Sequence, residues 1–248
     1  MSARELENRV ALVTGGARNI GRAIALALAD GGASVVVNAR TSRDAAQAVV
    51  AEIESRGGRA LAHMADVTDE DGVEAMMAEV RARFGRLDVL VNNAAVRDVT
   101  KIDEIDLATW RYVTGIILDG AFICTKAALP LLRASDAGAI VNIGGMSGHT
   151  GASGRPHVVA AKMGLVGLTR ALAHDLGPAG ITVNCVVPGY IDTERGASAG
   201  PSRGEHTGVL GRRGKPEDVA AMVRMLCGPD ARYLTGQEWH VNGGAYMG

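Results

Sequence analysis

VALVTGGARNIG, residues 10–21, is the stretch on which the fold turns. Val10–Thr14 is apolar and β-branched, the composition of a buried strand. Gly15 and Gly16 follow at once, and the apolar residues from Ile20 to Asp30 recur at helical spacing. A strand that runs through a glycine turn into a helix start presents free N–H groups and the positive end of the helix dipole. That geometry suits a pyrophosphate, so the stretch points to a dinucleotide. Gly15 allows the tight turn and Gly21 lets the helix close on the strand. Gly15, Arg18, Asn19, Ile20 and Gly21 are the candidate contacts.

The rest of the chain repeats this alternation. Strands are expected at Val10–Thr14, Ser34–Asn38, Ala60–Met64, Leu87–Val91, Ala139–Ile143, Thr182–Val186 and Glu238–Val241. Helices are expected at Ile20–Asp30, Arg43–Ser55, Asp69–Phe84, Leu107–Arg133, Val158–Leu176 and Glu217–Leu226. The strands are continuous apolar runs, the mark of parallel strands covered on both faces. The expected fold is α/β: one Rossmann-type, doubly wound parallel sheet with helices on both faces, a single domain over residues 1–248. The stretch from 194 to 214 is rich in Gly, Ser and Arg and reads either as a surface loop or as a lid over a substrate site.

Composition excludes several classes. Twenty-six basic and 27 acidic side chains give a net charge of −1, and no basic run is present, so neither nucleic acid nor an anionic membrane is an expected partner. No apolar run reaches the length of a membrane span, and the first residues lack the pattern of a signal peptide. Three separated cysteines, Cys124, Cys185 and Cys227, fit neither a disulfide framework nor a zinc spacing. They read as buried thiols in the cytoplasm, and no metal is expected.

Further motifs follow in order. Asn92-Asn93-Ala94-Ala95 closes the fourth strand, Ile140-Val141-Asn142-Ile143 forms the fifth, Pro188-Gly189-Tyr190-Ile191-Asp192-Thr193 closes the sixth, and Asn242-Gly243-Gly244 follows the last. Together with TGxxxGxG at residue 14, this ordered set resembles the short-chain dehydrogenase/reductase family across essentially the whole chain. Asn19 stands at the middle glycine of the first motif and Ala95 at the last glycine of the second. The resemblance implies a nicotinamide dinucleotide held also by Asn92, Ala94, Pro188, Gly189, Ile191 and Thr193. Asp66 and Val67 would flank the adenine, and Lys162 would bond the nicotinamide ribose. It further implies a homotetramer. Where NAD-binding members carry an acid at the end of the second strand, this chain has Ala39 followed by Arg40. An arginine pairs with a 2′-phosphate that a carboxylate would repel. With Arg18 nearby, the expected cofactor is NADP(H).

The family's proton chemistry is another matter. Four residues before Lys162, where the resemblance places a catalytic tyrosine, stands Val158. The serine position falls on Gly145 and the asparagine position on Ile117. No tyrosine lies between Gly144 and Lys162, so no shift of register restores the motif. Lys162 alone remains of the set. Ser147, His157 and Tyr190 are the candidate substitutes, with His149 as a further pocket residue. Three functions remain open. One is an NADP(H)-dependent oxidoreductase with an atypical site, acting on an imine or iminium, an activated C=C bond or a carbonyl. The second is an inactive dinucleotide-binding sensor or the partner subunit of an active homologue in a mixed oligomer. The third is a non-redox enzyme in the same cleft.

Overall fold

The computed structural model describes residues 4–193 and 207–248. Its seven strands are β1 (Val10–Val13), β2 (Ser34–Ala39), β3 (Arg59–Met64), β4 (Val89–Asn92), β5 (Ala139–Ile143), β6 (Thr182–Pro188) and β7 (Glu238–Val241). They form one parallel sheet in the order β3-β2-β1-β4-β5-β6-β7. Between them run α1 (Asn19–Asp30), α2 (Arg43–Ser55), α3 (Glu70–Phe84), α4 (Leu107–Thr114), α5 (Gly120–Arg133), α6 (Ser147–Thr150), α7 (Pro156–Leu176) and α8 (Pro216–Cys227).

The sheet is covered on both sides because successive strand residues point to opposite faces. On β1, Ala11 and Val13 join a core with α1, α2 and α8, while Val10 and Leu12 join a second core with α3, α5 and the end of α7. Strands β1, β4, β5 and β6 are buried throughout; the edge strand β7 is half-buried. The expected doubly wound sheet is therefore the observed one. The strand order reverses between β1 and β4, and in such sheets ligands bind at the carboxyl ends of the strands flanking that reversal.

Three local features differ from expectation. The helix expected over Leu107–Arg133 is interrupted by a wide turn at Gly115–Asp119, where the Gly120 N–H reaches the Gly115 carbonyl five residues back. The short helix α6 lies in the glycine-rich stretch after β5. Contrary to the expectation that no stretch reaches the length of a membrane span, Leu107–Arg133 is long and apolar enough to cross a bilayer. More than half of its most apolar window is buried within the protein, which makes it a core helix. Of the stretch expected as a lid, residues 194–206 lie outside the described residues. Residues 207–214 run past the C-terminal segment, with Leu210 N–H bonded to the Gly243 carbonyl and Gly214 bridged to Ile191.

Candidate active site

The glycine loop is stapled from two sides. The Thr14 hydroxyl donates to the Val91 carbonyl (3.2 Å) and accepts from the N–H groups of Asn93 (2.9 Å) and Ala94 (3.0 Å). That uses its whole hydrogen-bonding capacity. The Asn93 amide donates to the Thr14 and Gly15 carbonyls. From the other side, buried Asn38 donates to the Ala65 carbonyl (3.0 Å), accepts from the Gly15 N–H (3.3 Å), and receives the Gly16 N–H (2.9 Å) on its own carbonyl. Sequence reasoning missed Thr14 and Asn38. The available signal was a polar residue within an otherwise apolar strand, VVVNA.

The loop fits a pyrophosphate. Gly15 has φ +61°, and a Cβ there would meet Ala94 Cα at 3.1 Å. At Gly21 a Cβ would come within 2.2 Å of the Gly15 carbonyl oxygen, so only glycine fits. Asn19 takes φ +50°, the left-handed region that asparagine tolerates better than most residues. The N-cap residue Arg18 makes no side-chain cap bond and no acid stands in the first turn of α1, so the positive end of the helix faces the loop without a carboxylate of its own. A cleft of about 910 Å³ opens beside the loop, bounded by Arg18, Asn19 and Arg22, by Glu52 on α2, and by Thr193 and Arg213. Lys162 is not among its described lining residues.

At the adenosine end Ala39 is buried, and Arg40 reaches the Tyr112 hydroxyl at 3.0 Å and Asp66 at 3.6 Å. Burial alone would raise the Asp66 carboxyl. Bonds from the Thr68 N–H (3.0 Å) and hydroxyl (2.8 Å), with the Arg40 charge, hold it below the usual range. Val67 is buried and fills the space over Gly120, where a Cβ would meet it at 2.6 Å. Arg40 is thus a half-exposed cation held in place where a carboxylate is absent.

At the reacting end, Lys162 on α7 donates to the Ile143 carbonyl at 2.5 Å. Burial pushes its ammonium down to about 8; the Cys185 thiol opposes this and the Arg97 charge adds to it. Val158, one turn earlier on the same helix, is buried in an apolar cluster with Val113, Ile117, Ala121, Ala161 and Leu165. Ile117 lies in the wide turn before α5. Neither residue offers a proton. Gly145 leaves room: a Cβ there would lie 3.7 Å from Lys162 Cγ and 3.9 Å from the Ser147 hydroxyl oxygen. Ser147 therefore stands beside the empty serine position.

The other expected residues divide. His157 is fully buried, its Nε2 3.0 Å from Asp98, whose carboxyl is held low chiefly by a bond from the Thr100 hydroxyl. Tyr190 is half-buried against Met146, Val166, Cys185 and Val187, as a wall residue would be. The Asn92 side chain points into the interior, donating to Thr125 (3.2 Å) and Asn142 (2.9 Å), so it braces β4 against β5. Pro188 accepts from the Met146 N–H, and Gly189 is pressed against Asn242, where a Cβ would lie at 2.6 Å. Ile191 is buried, and the Thr193 hydroxyl accepts from Arg97 at 2.9 Å. Arg97 was not foreseen. It stands two residues past the Asn-Asn-Ala-Ala motif and brings a second positive charge toward Lys162.

A family model described as enoyl-(acyl carrier protein) reductase matches residues 15–246. The chain belongs to the short-chain dehydrogenase/reductase family. A 3-oxoacyl-acyl-carrier-protein reductase of Synechocystis sp. is 42% identical over 243 residues, covering 98% of each chain. The Thauera aromatica protein named (2S)-((R)-hydroxy(phenyl)methyl)succinyl-CoA dehydrogenase subunit BbsD is 37% identical over 243 residues, 96% of this chain and 97% of that one. Among solved structures, a short-chain dehydrogenase from Burkholderia cenocepacia in complex with NADP superimposes with a TM-score of 0.90 at 38% identity, covering 98% of this chain and 99% of that one. In this short-chain dehydrogenase/reductase, Ile117, Gly145 and Val158 stand around Lys162, which follows Val158 by one turn of α7.

Proposed function

We propose that this short-chain dehydrogenase/reductase is an NADP(H)-dependent oxidoreductase acting on a small organic substrate that needs little help from a protein acid. The observation that carries this reading is an intact dinucleotide cradle, Gly15, Gly21, Asn38 and Arg40, beside a reacting end where positions 117 and 158 are apolar. The dinucleotide, when bound, supplies or accepts the hydride. Arg40 would hold its 2′-phosphate and Asp66 would lie at the adenine. Lys162, titrating at about 8, is mostly protonated at neutral pH and sets a cation beside Gly145. Ser147 supplies a hydroxyl beside the vacant serine position.

The charges rank the substrate classes. Lys162 and Arg97 are both positive, so a cationic iminium is repelled, whereas negative charge developing on an oxygen or a carbanion is stabilised. Polarised C=C bonds therefore come first, neutral carbonyls second, and iminium ions last. Parallel calorimetric titrations with NADPH and NADH test the cofactor; tight NADPH binding with weak NADH binding is expected. A screen of enones, ketones and imines for NADPH oxidation tests the chemistry. Activity no greater than in buffer across the screen sinks the redox reading.

A second reading is a dinucleotide-binding subunit that pairs with an active homologue. The replacement of acid positions by packed aliphatic side chains favours it. Tyr112, Phe122 and Met163 are exposed on α4, α5 and α7, a surface suited to burial in a homotetramer or a mixed oligomer. Native mass spectrometry of the protein from its own cells separates the two: a homotetramer with turnover supports the enzyme, and a stoichiometric homologous chain supports the subunit. The buried free thiols fit a cytoplasmic location.

A further inference from the structure

Beyond the dinucleotide cleft, the fold brings together two histidines and a glutamate from distant parts of the chain. Glu238 and His240 alternate on β7, so both face the same layer, toward α6 and α7. His149 comes from α6 and sets its Nε2 3.1 Å from Glu238 Oε2. One ligand atom from each of His149, Glu238 and His240 lies within 4.8 Å of the others. We propose that these three residues form a binding site for a divalent transition-metal ion of the zinc class.

Four observations carry this. The set, two imidazoles and one carboxylate, is the ligand chemistry of zinc and its first-row neighbours. Bonds of about 2.0–2.1 Å in a tetrahedron place neighbouring ligand atoms roughly 3.3 Å apart. The His149–Glu238 approach, at 3.1 Å, is near that spacing, and the whole set lies within 4.8 Å, so an ion would draw the ligand atoms together by about 1.5 Å at most. His240 Nδ1 is buried and has no hydrogen-bond partner among the described residues, and buried Glu238 Oε2 has the His149 Nε2 approach at 3.1 Å but no aligned hydrogen bond. A buried polar atom left without a bond, as His240 Nδ1 is, is costly unless something binds it. An outer layer is also present: Arg170 on α7 bonds Glu238 Oε1 at 2.5 Å and leaves Oε2 turned toward His149, while the Tyr246 ring lies 5.4 Å from the His149 ring and 5.2 Å from that of His240. With three protein ligands, the fourth position is open to water or another donor. The site lies close to the reacting end, because Cys185, the β6 partner of Glu238 in the sheet, feels the charges of both Glu238 and Lys162.

The test uses the full-length protein, stripped with a chelator and titrated with Co²⁺ and Zn²⁺. One Co²⁺ per chain with the intense visible bands of a low-coordinate site is expected, displaced by Zn²⁺. His149→Ala, Glu238→Gln and His240→Ala should each weaken binding by about tenfold or more. His174→Ala, at an exposed helix histidine, should leave it unchanged. X-ray absorption of the zinc-loaded wild type provides a readout independent of the variants' folding, with two imidazoles and oxygen in the first shell expected. Absence of stoichiometric binding, a shell without imidazole, or equal binding by all variants overturns the site.

Discussion

Val158 on α7 and Ile117 in the wide turn before α5 belong to the same buried apolar cluster, closed by Val113, Ala121, Ala161 and Leu165. The two positions on which the family resemblance places an acid and an amide therefore lie in one patch of packing. A hydroxyl at either position alone would meet aliphatic neighbours. Gly145 is different, because the space over it is open and faces Lys162 and Ser147.

This asymmetry predicts the outcome of restoring the acid. Val158→Tyr overpacks the cluster and should destabilise the protein by about 1–3 kcal/mol, visible as a lower Tm. Gly145→Ser should be accommodated with little loss. The double variant should reduce a simple ketone with NADPH about 10²-fold faster than the wild type, the lower end of what a positioned acid contributes. A double variant that binds NADPH yet gains no rate would show that 158 is not the acid position.

Lys162 gives a pH signature. Its folded value, about 8, lies below the ordinary lysine value of 10.5 because burial disfavours the charge. Between these values the unfolded chain holds the proton more than the folded chain does, so stability rises with pH across that window. Below pH 8 the cost of the buried ammonium is fully present. The stability of the wild type relative to Lys162→Met should therefore increase from pH 8 to pH 10, measured by urea unfolding. A difference that stays flat with pH would place the ammonium in solvent.

The fold was legible because each β-branched run reports a strand buried on both faces and each strand connects through a helix to the next. The site was legible where it is local in sequence: the Gly15–Gly21 loop, with Asn19 at positive φ as its chemistry suggested, and Arg40 one residue past the end of β2. It was illegible where contacts come from distant segments. Nothing near His149 announces His240, and Asn38 looks like a chance polar residue until the glycine loop lies against it. The wide turn at Gly115–Asp119 leaves no sequence signal either, since apolar periodicity continues through it. His157 shows the limit of counting along a helix: adjacency to position 158 says nothing of its turn toward Asp98.

Asn38 should prove a determinant of cofactor binding without touching the nicotinamide end. Asn38→Ala leaves the Ala65 carbonyl and the Gly15 N–H without their side-chain partner in a buried layer. The expected loss is on the order of 3 kcal/mol in stability. Affinity for NADPH and NADH should fall together, because the loop serves the pyrophosphate common to both. Calorimetry showing a selective loss of NADPH alone would contradict this role.

Arg40, by contrast, should separate the two dinucleotides. Tyr112 and Asp66 already hold its guanidinium, so little side-chain freedom is lost when it meets a phosphate. A charge-assisted bond of about 1.5–3 kcal/mol predicts that Arg40→Ala weakens NADPH binding roughly 10- to 100-fold and leaves NADH nearly unchanged. Tyr112→Phe removes one of the two supports and should weaken NADPH binding by a smaller factor in the same direction. The wild-type preference should also shrink as salt rises, since Arg40 is half-exposed and its charge is screened. Equal losses for both cofactors in Arg40→Ala would move the arginine from the 2′-phosphate to the adenine face, where stacking does not distinguish them.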